Sequence, residues 1–100
     1  MPGLTYDSIK VYGRGVERWQ RADIKQEFNV DFRNTGWKSS YIKVEIEGPV
    51  TEEYLEKNCG LKKSSTEGLH DCWHRLPEGT FTIKVWCNSQ LVKNVIADFY

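Results

Sequence analysis

Alternation is the clearest signal in this chain. Over residues 27–33, Phe28, Val30 and Phe32 alternate with Asn29, Asp31 and Arg33. Over residues 41–47, Ile42, Val44 and Ile46 alternate with Tyr41, Lys43, Glu45 and Glu47. Further on, Phe81, Ile83, Val85 and Cys87 alternate with Thr82, Lys84 and Trp86. A period of two puts one set of side chains on each face, so each run predicts a strand with one buried and one wet side. Turn signals punctuate them. Asn34-Thr35-Gly36 separates the first two strands, and Gly48-Pro49 stops the second. Pro77-Glu78-Gly79 precedes the third, and Asn88-Ser89 after it fits a two-residue hairpin.

The remaining segments are weaker. Ile9 and Val11, with Val16, give a short, interrupted strand, and Gly13 and Gly15 allow a sharp bend within it. Residues 17–26 are too polar and too short for a helix, although they carry Trp19 and Ile24. Residues 51–57 have helical propensity, enough for one turn. Residues 59–63 suit a short edge strand, and residues 64–68 a turn. Residues 69–76 predict a strand of ambiguous phase. One phase turns His70, Cys72 and His74 inward; the other turns in Leu69 and Trp73, but also Asp71. A final strand covers residues 90–100, with a bulge expected at Val95-Ile96. Six or seven short strands, with turns about every ten residues and no long amphipathic helix, predict an all-β fold: an antiparallel β-sandwich of immunoglobulin type with about seven strands. The Cys-Trp-Cys spacing of true immunoglobulin domains is absent.

Composition narrows the function classes. One hundred residues make one domain, residues 1–100, in which residues 1–5 read as linker. Fourteen basic residues balance fourteen acidic ones, and no basic stripe appears, which argues against nucleic acid or an anionic membrane surface as a partner. No apolar run is long enough to insert into a membrane. The first ten residues lack the charged and apolar regions of a signal peptide. Three cysteines, Cys59, Cys72 and Cys87, read as reduced thiols of a cytoplasmic protein.

Taken in order, residues 7–16, 27–36, 41–49, 67–68 and 78–85 resemble, in a divergent form, the filamin-type immunoglobulin repeat, the rod module of actin-crosslinking filamins. Asp7-Ser8-Ile9-Lys10-Val11-Tyr12-Gly13-Arg14-Gly15-Val16 resembles the opening strand and its bend. Glu27-Phe28-Asn29-Val30-Asp31-Phe32-Arg33-Asn34-Thr35-Gly36 resembles the second strand and its loop. Tyr41-Ile42-Lys43-Val44-Glu45-Ile46-Glu47-Gly48-Pro49 resembles the family's strand C, and Glu67-Gly68 stands at an Asp-Gly turn. Glu78-Gly79-Thr80-Phe81-Thr82-Ile83-Lys84-Val85 resembles the entry to strand F. Arg14 stands where the family has proline, the loop around Pro77 is shortened, the last strand lacks Ser-Pro-Phe, and residues 51–65 fit strand D poorly.

The resemblance implies a non-enzymatic scaffold module of the cytoskeleton. Partner peptides would add as a strand beside strand C, in the groove toward strand D, at Ser40, Tyr41, Ile42, Lys43, Val44, Glu45 and Ile46. A second copy of the chain would be the other occupant, because terminal filamin repeats dimerise through sheet edges. Actin would be bound only by a separate domain of the parent protein. Against this stands a plain spacer repeat whose strand C is an edge guarded by Lys43, Glu45 and Glu47. Tyr41 and Trp86 point away from the core on the phases above, and with Lys43 and Lys84 they suggest a contact patch on the outer sheet face. Trp19 and Trp37 are assigned to loops.

Two further readings remain. His70, Cys72 and His74 share a strand face and are zinc-ligand types, but no familiar zinc spacing accompanies them. An extracellular adhesion module would instead carry a Cys59–Cys72 disulfide. No phosphate loop or nucleophile elbow is present, a Cys–His pair on one strand does not converge, and the paired glutamates have no apolar pocket. No enzymatic activity and no cofactor are therefore expected.

Overall fold

The computed structural model describes residues 9–32, 41–64 and 68–100. The expected turn at Asn34-Thr35-Gly36, Trp37, Ser40 and most of the turn at residues 64–68 lie outside the described residues.

The described chain forms two β-sheets over one core. The first sheet orders β1 (Lys10–Tyr12), β3 (Gln26–Phe32), β7 (Gly68–His74) and β5 (Cys59–Gly60) as β1-β3-β7-β5. The second orders β2 (Trp19–Gln20), β9 (Gln90–Phe99), β8 (Gly79–Cys87), β4 (Ile42–Glu47) and β6 (Lys63–Ser64) as β2-β9-β8-β4-β6. The alternation predicted the buried stripes. Phe28, Val30 and Phe32 of β3, Ile42, Val44 and Ile46 of β4, and Phe81, Ile83, Val85 and Cys87 of β8 are all buried. Aromatic rings join the two layers: Phe99 of β9 meets His74 of β7 and Phe81 of β8, each edge to face at 5.4 Å. Burying each such ring contributes about 1.5–3 kcal/mol.

The structure corrects four expectations. Nine strands among the described residues replace about seven, because β2, β5 and β6 are two residues each and too short to show a period. Trp19, assigned to a loop, lies in β2, which runs parallel to β9, so one pair breaks the antiparallel pattern. The bulge lies between Val85 and Trp86 opposite Val92, where the register passes from Lys93 to Leu91; at Val95-Ile96 the alternation simply continues, Val95 inward and Ile96 outward. Residues 52–58 form a full helix, α1 (Glu52–Asn58), rather than one turn. Thr51 caps it, its hydroxyl accepting from the Tyr54 amide at 3.1 Å, and Glu52 and Glu53 stand in the positive first turn. The Tyr54 hydroxyl donates to the Arg75 carbonyl at 3.3 Å and ties the helix to the end of β7.

The phase of β7 is settled by contacts far along the chain. Cys72 and His74 face inward and are buried, whereas Leu69 is exposed. His74 Nε2 donates to the Gly15 carbonyl at 2.7 Å; a carbonyl only accepts, so the neutral ring carries its hydrogen on Nε2. Gln20 Nε2 donates to the same carbonyl at 2.8 Å. On the outer face Trp73 lies across Gly60, where a Cβ would come within 2.0 Å of the indole nitrogen, and Lys25 stacks on the ring at 4.9 Å. The hairpin between β8 and β9 turns through Asn88 and Ser89, with φ of 52° and 68°, as a two-residue loop with both residues left-handed requires.

Candidate docking groove beside strand β4

Strand β4 is paired unequally on its two sides. Toward β8 it is paired along its whole length, from Ile42 opposite Cys87 to Glu47 opposite Thr82. Toward β6 only Ile42 and Lys43 have partners, Ser64 and Lys63. One further bond, from the Val44 amide to the Lys62 carbonyl at 2.9 Å, ends the pairing. That bond fixes the direction of the backbone groups. Peptide groups alternate sides along a strand, so the amide and carbonyl of Ile46 face the same edge as those of Val44. Among the described residues no strand pairs with residues 45–47 on that side.

An open groove of about 540 Å³ runs along this free half. Its floor is Val50, Leu55, Cys59 and Leu61, partly buried side chains packed against the core. Glu52 and Glu56 of α1 form the far wall, and Lys63 of β6 stands at one end. Gly48 closes the strand beside the groove, where a Cβ would lie 2.1 Å from the Phe81 ring. The sequence turns away from the strand there because only glycine lets the backbone lie on that ring.

The predicted site residues divide between two surfaces. Glu45 and Ile46 lie on the open half of the edge, while Ile42, Lys43 and Val44 lie where β6 already pairs. The expectation of an edge open from residue 40 to residue 46 is therefore corrected: β6 covers its first half. Ser40 falls outside the described residues. Lys84 and Trp86 belong to the outer sheet face, not to the groove. There Trp86 Nε1 donates to Glu45 at 3.1 Å, Lys84 pairs with Glu47 at 2.8 Å, and Lys43 pairs with Glu45 at 3.5 Å. Tyr41 is exposed, and its amide donates to the Asn88 side chain at 2.8 Å.

Sequence reasoning missed the helical wall. Thr51 followed by two glutamates was a capping signal for α1, and Val50, Leu55 and Leu61 were apolar residues without an assigned core role. The thiols bear on the two further readings. All three cysteines are free, and Cys59 stands opposite His74 rather than Cys72. Burial pushes the Cys59 thiol up to about 11, against a backbone hydrogen bond at Arg75, so it is no activated nucleophile. His70, Cys72 and His74 do share a face, but among the described residues no three His, Cys, Asp or Glu side chains are placed to hold a metal.

No protein-family model and no curated protein sequence matches this chain. Among the described residues no helix is long and apolar enough to cross a membrane.

Proposed function

We propose that this chain is a non-enzymatic protein-interaction module of filamin-type immunoglobulin-like fold, a cytoplasmic scaffold repeat of an actin-crosslinking, cytoskeletal parent. With β1, β2, β3, β4, β5, β7, β8 and β9 taken as strands A, A′, B, C, D, E, F and G, the sheets read A-B-E-D and A′-G-F-C, with β6 added beside C. That order supports the immunoglobulin-like reading, and the sequence resemblance supports the filamin type. The observation that carries the function is the half-open edge of β4 above an apolar floor. An extended partner segment pairs first with Ile46, where backbone groups face the groove, and fills the floor with alternate side chains. Pairing farther, over Ile42 and Val44, means displacing the two residues of β6.

The test is a nuclear magnetic resonance titration with ten-residue peptides selected from a random library. The largest amide shifts are expected at Ile46 and along α1. Shifts confined to the β2 edge, or none at millimolar peptide, would remove the reading.

A second copy of the chain is the other occupant of this edge. The outer face beside it favours this reading, since Leu91 stands opposite Trp86 and both Leu91 and Tyr41 are exposed. Light scattering over a concentration series decides between them. A dimer insensitive to reductant, with the Ile46 amide protected from exchange, selects the second copy; a monomer throughout leaves a peptide-docking or spacer repeat, which the peptide titration separates.

A further inference from the structure

Resting on the groove reading above, we infer that the segment docking there is basic, with Lys or Arg at alternate positions facing α1. The charges along the groove are uneven. Glu45 and Glu47 are already engaged with Lys43 and Lys84. On the helix, Glu53 faces Lys57 one turn on, at 3.9 Å. Glu52 and Glu56, the two acidic helix residues that line the groove, have no ion pair among the described residues. The two helix carboxylates are thus uncompensated, while of the two lysines that line the groove Lys43 is paired with Glu45 and Lys63 belongs to β6.

The spacing of this wall suits an extended chain. Glu52 and Glu56 are separated by about 6 Å along the helix axis. Alternate side chains on one face of a strand repeat about every 6.6 Å. A segment that runs along α1 as it seats against Ile46 brings two basic side chains, two residues apart, to the two carboxylates. The floor fits the same side chains. Val50, Leu55 and Leu61 present apolar surface below the carboxylates, which receives the aliphatic stem of a lysine or arginine while its head reaches the rim. An acidic segment would meet Glu52 and Glu56 as like charges, so the wall selects against it as well as for its opposite.

The test compares two labelled ten-residue peptides built on threonine, one with lysine and one with glutamine at three alternate positions. Anisotropy gives the affinity, and the Ile46 amide shift reports the seat. The lysine peptide is expected to bind about three- to tenfold tighter at low salt, as two exposed ion pairs allow. In the Glu52→Gln/Glu56→Gln double variant, or at high salt, the preference is expected to fall below twofold. Both side chains are exposed, so the variant keeps the fold. Equal affinity of the two peptides with the Ile46 amide shifted would overturn the charge inference and leave the docking reading standing. A lysine preference that survives the double variant would also overturn it, placing the selecting charge elsewhere. If neither peptide shifts the Ile46 amide, both the inference and the docking reading fall.

Discussion

The five-stranded sheet has two edges, and they are finished differently. At the β2 edge, backbone bonds tie β2 and its flanking residues to the end of β9. The Asp98 amide donates to the Arg18 carbonyl at 2.6 Å, the Tyr100 amide to the Gln20 carbonyl at 3.0 Å, and the Ala22 amide to the Tyr100 carbonyl at 2.7 Å. Side chains reinforce this: Asp98 takes the Arg18 guanidinium at 2.7 Å and the Thr80 hydroxyl at 2.6 Å. At the β4 edge, two residues of β6 cover one half and the groove borders the other. An open edge is a liability that folded chains blunt with charge, cover or closure. Each edge thus carries a two-residue cover, β2 over Asp98 and Phe99 of β9 and β6 over Ile42 and Lys43 of β4; the difference is that the uncovered part of β4 borders a groove with an apolar floor.

The comparison can be broken from the core outward. Phe81 lies under both edges, meeting Phe99 of β9 on one side and Gly48 after β4 on the other. Phe81→Ala is expected to cost about 3–5 kcal/mol in urea unfolding. A loss under about 1 kcal/mol would mean that the edges do not share this support.

Acid gives a smaller effect with a defined direction. Burial holds the His74 pKa below its ordinary 6.5, against the hydrogen bond at Gly15. Between the lowered folded value and 6.5 the unfolded chain binds the extra proton, so stability is full above that range and is lost as pH falls through it. The slope is at most about 1.4 kcal/mol per pH unit. His74→Phe should flatten the profile between pH 7 and 5.5 relative to wild type; an unchanged slope in the variant would assign it to another group. Asp98 is shifted in the same direction, by hydrogen bonds to its charged form instead of by burial. The Thr80 hydroxyl and then Arg18 hold its carboxyl below 3.8, so its contribution is present above that value and lost only in stronger acid.

The smallest effect is local. Arg18→Ala removes one side-chain tie at the β2 edge, leaving the backbone bonds of Asp98 and Tyr100 in place. Faster amide exchange is expected at Asp98 and Tyr100, with no change at Val44. A uniform rise across the sheet would show that the two edges open together, not independently.

What was legible in the sequence follows the same division. β3, β4 and β8 were read correctly because each buries one full stripe, and a period of two records that burial directly. The phase of β7 was not readable, since its two stripes each mix polar and apolar residues. It was decided by Gly15 reaching His74 and by Gly60 beneath Trp73, partners 59 and 13 positions away. The groove was half legible. β4 and its free edge were found from alternation and resemblance, but a two-residue cover such as β6 leaves no periodic trace. The wall of α1 was read as a single turn, because its capping was not weighed with the apolar residues that seat it.

The parallel pairing of β2 with β9 has a mechanical consequence. One strand is entered from the front of the chain and the other leaves toward its end, yet both run in the same direction. Pulling ahead of β2 and beyond β9 therefore slides the two strands along each other. Their backbone bonds, together with the Arg18–Asp98 tie, are then strained all at once instead of being opened in turn. The β2 edge is thus the one that resists shear, and the β4 groove lies two strands away from that line of force.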